Sequence, residues 1–160
     1  MAGGLERFVQ AAQAAGIDPE VRRFPEGTKT AQDAARAIGC DVAQIVKSLV
    51  FVADGQPVLA LTSGRHRVDT AVLGALCGSE VVRRATPEEA RSATGFAVGG
   101  TPPFGHPAPV RTFVDETLLS FETVWAAAGT PDSVFPLAST ELVRLCGGTV
   151  AVFHGSPPQG

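Results

Sequence analysis

A lysine inside an apolar run and a Gly/Pro-rich segment are the parts of this sequence best suited to chemistry. Lys47 lies in the β-rich run IVKSLVFV, where side-chain alternation places it on the same face as Leu49 and Phe51. Residues 94–109 read TGFAVGGTPPFGHPAP, and half of them are glycine or proline. Glycine lets a backbone approach a ligand closely, and proline stiffens the backbone. A lysine that supplies charge and a rigid segment that supplies main-chain amides together suit ester or phosphate chemistry.

Each of these features also has an ordinary structural explanation. Lys47 could be an edge-strand lysine whose ammonium reaches water past its apolar stem. Residues 94–109 could be a hinge between domains, although Phe96, Val98 and Phe104 are more apolar than a solvated linker requires. In the functional alternative, Lys47 places a charge at the rim of a pocket and residues 94–109 form a stiff backbone wall opposite it. In the structural alternative, Lys47 is a surface lysine and the segment is a loop without a binding role.

The sequence lacks the motifs of the common nucleophilic and nucleotide-binding sites. It contains no GxGxxG or GxSxG, and Val46 stands where a P-loop requires a glycine before its lysine. His66, His106 and His154 follow no metal-ligand spacing, so we predict no metal and no cofactor. A metal site assembled from them in three dimensions remains an alternative. The three cysteines form no CxxC pair and are expected to be unpaired thiols.

The composition predicts one globular domain over residues 1–160. The chain is 44% hydrophobic and 18% charged, and no apolar run approaches the ~20 residues of a membrane span. The N-terminus does not resemble a signal peptide, so we expect a cytoplasmic protein without a membrane partner. The net charge is −3, but arginines cluster at 22–23, 65–67 and 83–84. Such clusters are either solvated surface or local phosphate-binding patches.

Helices and strands alternate irregularly, which favours an α+β fold with a mixed, mainly antiparallel sheet flanked by helices. The clearest hairpin turns at Asp54-Gly55 and carries Lys47 in its first strand. Pro136 marks the strand SVFPLAS as an edge strand. Since this pattern continues on both sides of residues 94–109, the hinge is the weaker alternative. Helices are predicted over residues 4–15, between Thr30 and Gly39, from near Asp69, between Thr86 and Gly95, and after a cap at Ser139 or Thr140.

Over roughly residues 16–153 the sequence resembles the YbaK/ProX (EbsC-like) family of aminoacyl-tRNA editing domains. The resemblance is carried by IVKSLVF, by RVD at 67–69, by TGFAVGGTPPFGH and by FVDETLLSFETVWAAAG. It implies a free-standing hydrolase that cleaves a wrong amino acid, such as Ala, Cys, Ser or Thr, from the acceptor end of a tRNA, commonly the tRNA for proline. It also implies chemistry without a metal or a covalent enzyme intermediate.

The resemblance assigns roles to individual residues. Lys47 would hold the substrate near its terminal phosphate or ester, while main-chain groups of Gly99 and Gly100 would position the attacking water or the carbonyl. Ser48, where family members often have Thr or Asn, would tune specificity. Further substrate-binding positions are Pro103, Gly105, His106 and Gly129, with His106 facing either the pocket or solvent. Candidate contacts for tRNA phosphates are Arg22, Arg23, Arg65 and Arg67.

One departure from the family leaves the function open. After Val68-Asp69, where many members carry lysines, this chain reads TAVLGAL, which removes positive charge from a helix expected to face tRNA. The leading hypothesis is an editing hydrolase. The alternatives are a non-catalytic module that binds tRNA or a synthetase such as prolyl-tRNA synthetase, and a metal-dependent hydrolase that uses the histidines.

Overall fold

The computed structural model describes residues 3–24 and 30–155, which form five α-helices and eight β-strands. The helices are α1 (Gly4–Ala14), α2 (Ala31–Ile38), α3 (Thr70–Cys77), α4 (Pro87–Thr94) and α5 (Ser139–Cys146). The strands are β1 (Arg22–Arg23), β2 (Val46–Ala53), β3 (Gln56–Ser63), β4 (Val82–Arg84), β5 (Arg111–Asp115), β6 (Thr123–Ala127), β7 (Ser133–Ala138) and β8 (Thr149–Ala151). Pro25-Glu26-Gly27 predicts a turn from sequence, but these residues lie outside the described part of the chain. None of the described helices is both long and apolar enough to cross a membrane.

The strands are divided between two sheets. In the larger sheet the order is β4-β2-β3-β5-β8, with antiparallel pairing among β4, β2 and β3 and parallel pairing of β5 with both β3 and β8. The smaller sheet has the order β1-β7-β6 and is antiparallel. A parallel bridge between Ile45 and Trp125 brings the two sheets together. The predicted α+β class with mixed, mainly antiparallel pairing is confirmed.

The β2–β3 hairpin sets the position of Lys47. Asp54 and Gly55 form its turn with φ values of 46° and 83°, the left-handed conformation that a two-residue hairpin turn requires. From this turn the register runs back to Lys47, which lies opposite Thr62. Phe51, on the lysine's face of β2, packs in a cluster separate from the main core. The predicted alternation is therefore confirmed.

The Gly/Pro-rich segment is packed into the main core. Phe96 and Phe104 are buried there, and the Phe104 ring lies 5.3 Å from the ring of Phe8 on α1. The Arg7 guanidinium donates a hydrogen bond of 2.7 Å to the Gly95 carbonyl and lies over the Phe96 ring. This packing supports a stiff wall and not a hinge.

Two local predictions are wrong. β7 is the central strand of its sheet and not an edge strand, because β1 pairs with it at Ser133 and Val134. Pro136 is compatible with this position because β1 ends before reaching it, so no hydrogen bond is lost on that side. The second error concerns α5, which begins at Ser139 itself without a side-chain cap. The Ser139 hydroxyl instead donates to the Phe121 carbonyl at 2.6 Å.

Candidate functional site

A cavity of about 560 Å³ lies where the start of β2 faces the Gly/Pro-rich segment. Lys47 and Ser48 line it from β2, and Gly99 lines it from the segment. Other parts of the lining come from residues 64–67, which follow β3, and from residues of α2 and of the smaller sheet, including Trp125. Lys47 and the Gly/Pro-rich segment, which the sequence singled out separately, therefore share one cavity.

Lys47 presents a positive charge to this cavity. Its ammonium donates a 2.5 Å hydrogen bond to the His66 carbonyl, and it forms no ion pair with any carboxylate of the described residues. Burial, and then the positive charges of Arg67 and Arg84, lower the pKa of Lys47, while Asp115 opposes them. A half-buried ammonium without a carboxylate partner can interact favourably with a phosphate or a polarised carbonyl oxygen.

Ser48 also lines the cavity, but its hydroxyl is buried and lies on the face of β2 opposite Lys47. Its Oγ is shielded from solvent and has no hydrogen-bond partner among the described residues. An unsatisfied buried hydroxyl costs about 1–3 kcal/mol. A polar ligand group that reached Ser48 Oγ would therefore recover a hydrogen bond that the protein alone leaves unmade.

Gly99 and Gly100 contribute to the opposite side in different ways. Gly99 lines the cavity and has a φ of +86°, which disfavours any residue with a Cβ. Gly100 does not line the cavity, and a Cβ there would lie 2.7 Å from the Thr130 Cα. The Gly100 N–H donates to the Ala97 carbonyl at 3.0 Å, so it is already used within the loop. Gly100 thus permits a close approach of two backbones behind the exposed Gly99.

Three other predicted substrate-binding residues, Pro103, Gly105 and Gly129, do not line the cavity. Gly105 has a φ of +88° and packs on α1, where a Cβ would lie 2.9 Å from the Ala11 Cβ. Gly129 has a φ of +105° and approaches α1 equally closely, because a Cβ would lie 2.3 Å from the Gly4 carbonyl oxygen. These glycines allow the segment and the smaller sheet to pack against α1 behind the cavity.

His106 also lies outside the cavity lining and is partly exposed. Its Nε2 is 2.8 Å from the Pro102 carbonyl oxygen, and its ring packs edge-on against Phe96. Burial lowers the pKa of His106, and the contact with Pro102 only partly opposes this. The half-buried imidazole therefore stabilises the loop through its contacts with Pro102 and Phe96.

The four candidate tRNA-contact arginines are placed differently. Arg65 and Arg67 line the cavity, and Arg65 also pairs with Asp41 at 3.2 Å. Arg22 does not line it but stacks on Trp125, with its guanidinium carbon 4.8 Å from the ring centroid. Arg23 pairs with Asp132 at 2.9 Å. Only Arg65 and Arg67 thus bring positive charge directly to the cavity among these four.

The sequence prediction missed a hydrogen-bonded cluster beside Lys47. His66 Nδ1 lies 2.9 Å from Asp115 Oδ2, and the His66 ring stacks on His154 with centroids 3.8 Å apart. Asp115 is fully buried and also accepts hydrogen bonds from the Ser63 and Thr117 N–H groups. Burial raises the pKa of Asp115, but these bonds outweigh it and the pKa lies below its usual range. The carboxylate is therefore ionised at neutral pH.

His66, Asp115 and His154 are the described residues that could hold a metal, since one ligand atom of each lies within 4.8 Å of the others. The two imidazoles are inclined by only 20°, so their in-plane nitrogen lone pairs run side by side and do not converge. Asp115 Oδ2 already accepts two hydrogen bonds. The geometry suits an aspartate–histidine pair better than a metal centre.

Comparisons with known proteins show which family this chain is similar to. The family described as "Aminoacyl-tRNA editing domain" matches residues 25–145. Uncharacterized protein YwhH of Bacillus subtilis is 32% identical over 124 residues, 77% of this chain and 78% of that protein. A proline–tRNA ligase of Nitratidesulfovibrio vulgaris is 36% identical over 92 residues, which are 58% of this chain but only 16% of the ligase.

A solved structure has the same fold along almost the whole chain. It is described as a candidate trans-editing enzyme for prolyl-tRNA synthetase, and it is 42% identical with a TM-score of 0.91. The superposition covers 98% of this chain and 99% of that one. The similarity therefore extends over almost the whole of the solved structure's chain, but over only a small part of the ligase.

Proposed function

The chain belongs to the family of aminoacyl-tRNA editing domains, and on that basis we propose that it is an aminoacyl-tRNA deacylase acting in trans. The proposed reaction is hydrolysis of the ester that joins a wrong amino acid to the terminal adenosine of a tRNA. The observation that carries the proposal is the placement of Lys47 and Gly99 on one cavity. A volume of about 560 Å³ lies in the range of small-molecule sites and suits one aminoacylated nucleoside.

In this mechanism Lys47 binds the substrate through its charge. Its ammonium would contact the terminal phosphate or the ester carbonyl oxygen, and in the latter position it would stabilise the negative charge that develops during attack. Arg65 and Arg67 extend the positive surface next to it and would contact phosphates of the single-stranded acceptor end. Because an aminoacyl ester is already activated, the enzyme needs mainly to orient water and support the oxyanion.

The substrate that we propose is tRNA for proline carrying a small wrong amino acid. The similarity to a part of proline–tRNA ligase and to a candidate trans-editing enzyme for its synthetase supports this choice. The stiff segment would exclude larger amino acids by size, as the second sieve of an editing reaction does. Ser48 Oγ is buried, so it would contact a polar group of the bound amino acid or ribose only after a local movement of the side chains that cover it.

A panel of aminoacylated tRNAs tests the proposal. Purified protein is mixed with tRNA for proline charged with Ala, Cys, Ser, Thr or Pro, and loss of the ester is followed in single-turnover reactions. We expect hydrolysis of at least one small wrong ester and protection of the prolyl ester, with equal rates in EDTA. Absence of turnover on all five would contradict a deacylase and favour the binding module, whose tRNA affinity a gel-shift titration would then measure.

A further inference from the structure

His66 is the one imidazole among the described residues that line the cavity. The other described lining residues with titratable side chains are Lys47, Arg65 and Arg67, and no described Asp or Glu lines the cavity. Lysine and arginine are protonated at neutral pH and cannot accept a proton, whereas a neutral imidazole has one nitrogen that can. Hydrolysis of an ester by water proceeds faster when a base removes a proton from the attacking water. The cavity wall therefore offers one side chain for that role.

The contact with Asp115 fixes which nitrogen of His66 is available. Asp115 is ionised and can only accept, so the 2.9 Å contact requires that Nδ1 carries a proton. In the neutral imidazole the lone pair then lies on Nε2. Nε2 makes no hydrogen bond to the described residues, and the His66 side chain retains 20% exposure. His66 therefore has one ring nitrogen without a hydrogen bond to the described residues, on a side chain that is partly exposed.

One further contact holds the ring, and another holds the main chain of the same residue. His154 stacks on the ring at 3.8 Å, and Lys47 donates to the main-chain carbonyl of His66. The backbone carbonyl thus couples the position of His66 to the position of the lysine. A base and a cation fixed to one residue can act on opposite sides of one ester: the base on the incoming water, the cation on the carbonyl oxygen.

We propose that His66, oriented by Asp115, is the general base of the deacylation; this role rests on the proposed function. His66 Nε2 takes a proton from water as the water oxygen forms a bond to the ester carbonyl carbon. The bond between that carbon and the ribose oxygen then breaks, and the proton on Nε2 passes to the leaving ribose oxygen. The products are the free amino acid and the tRNA hydroxyl, and the imidazole is regenerated.

Variants of His66 test this role. His66→Asn keeps an N–H that can reach Asp115 but has no basic nitrogen, and His66→Ala leaves space for a small molecule. Both keep the main-chain carbonyl that binds Lys47. We expect kcat to fall about 100-fold in each with KM changed less than about threefold, the effect of losing a general base. Imidazole added to the buffer should restore part of the activity of His66→Ala, which a merely structural histidine would not allow.

Lys47→Ala provides the matched control, because imidazole cannot replace its ammonium and should not restore activity. Melting temperatures of all variants check that each is folded. Wild-type rates in either His66 variant would overturn the role of His66 and leave the deacylase standing. A wild-type protein inactive on every ester would contradict the deacylase and its base together. Inactivation of the wild type by EDTA, reversed by zinc only when His66 is present, would make His66 a metal ligand and overturn the proposal.

Discussion

The two sides of the cavity differ in whether charged side chains line them. The strand wall, residues 46–48 with residues 64–67, presents charged side chains: the Lys47 ammonium and the cationic groups of Arg65 and Arg67. The loop wall, residues 95–105, contributes Gly99 and Thr101, and the Thr101 hydroxyl already donates to the Ala97 carbonyl within the loop. In the strand wall the identity of a functional group matters, whereas in the loop wall the absence of a side chain matters. A substitution in the strand wall should therefore reduce activity by removing a functional group, and one in the loop wall by adding a side chain where there is no room.

The supports of the two walls differ in the same way. The strand wall is fixed by an eight-residue antiparallel register that leaves side chains free to vary. The loop wall is fixed by buried rings, Phe96 and Phe104, and by contacts at which a Cβ would collide. A change in the strand wall should alter activity without stability, and a change in the loop wall should alter both.

The largest effect is expected at Lys47. Lys47→Met keeps the apolar stem and removes the charge, so we expect deacylation to fall by about 100-fold or more, the range seen when one oxyanion-stabilising group is removed. Because the lowered pKa of Lys47 indicates that its charge is disfavoured by burial, stability should be unchanged or slightly higher. Single-turnover rates and thermal melts measure the two quantities.

Arg144→Ala is a suitable control for the loss of a cation. Arg144 pairs with Glu141 on α5 and does not line the cavity, so its removal should leave the rate unchanged. A wild-type rate in Lys47→Met would show that the strand wall does not act through its charge. An equal loss in Arg144→Ala would point to net charge and not to the cavity.

A smaller effect on rate, but the larger one on stability, is expected at Gly100. The Cβ of Gly100→Ala would lie 2.7 Å from the Thr130 Cα, so one backbone must move. We expect a loss of about 1–3 kcal/mol in the free energy of unfolding, as in other overpacked sites, and a deacylation rate about tenfold lower. Denaturant titration and single-turnover kinetics measure these changes.

Gly3→Ala is the matched control, because Gly3 has a φ of −71° and open space around the position of a Cβ. Because Gly3 is the N-cap of α1, where alanine is less favourable than glycine, the substitution should lower stability less than Gly100→Ala does and leave the deacylation rate unchanged. If Gly100→Ala lost activity with full stability, the loop wall would contribute a specific contact and not a shape. The contrast between the walls would then disappear.

Much of the strand wall could be predicted from the sequence, because its signals are local. The Asp54-Gly55 turn sets the hairpin, and side-chain alternation then places Lys47 on a definite face. The Gly/Pro density of the loop wall was equally visible, but its orientation was not. His106 follows Gly105 directly, yet its bond to the Pro102 carbonyl directs it into the loop.

The His66–Asp115 pair could not be predicted, because it depends on tertiary structure. The two residues are 49 positions apart, and the parallel pairing of β3 with β5 brings their strand ends together. His154 then reaches the pair through an isolated bridge to Val68 near the chain end. Tertiary structure also placed β1 beside β7, which overrode the edge-strand prediction from Pro136. Parallel pairing and stacking of distant side chains have no short-range sequence signal.

The smallest effect, and the sharpest comparison with Gly100, is expected at Ser48. Because Ser48 Oγ is buried without a partner among the described residues, Ser48→Ala should leave the free energy of unfolding unchanged or raise it slightly. If a bound substrate supplies the missing partner, kcat/KM should fall by about three- to tenfold, the value of one neutral hydrogen bond. The loss should be greatest for the ester whose amino acid or ribose reaches Oγ, so the five esters of the panel should separate. An equal loss of kcat/KM on all five esters would assign Oγ to the shared ribose. A lower free energy of unfolding would show instead that the hydroxyl stabilises the fold, so that changes in the strand wall affect stability as well as activity.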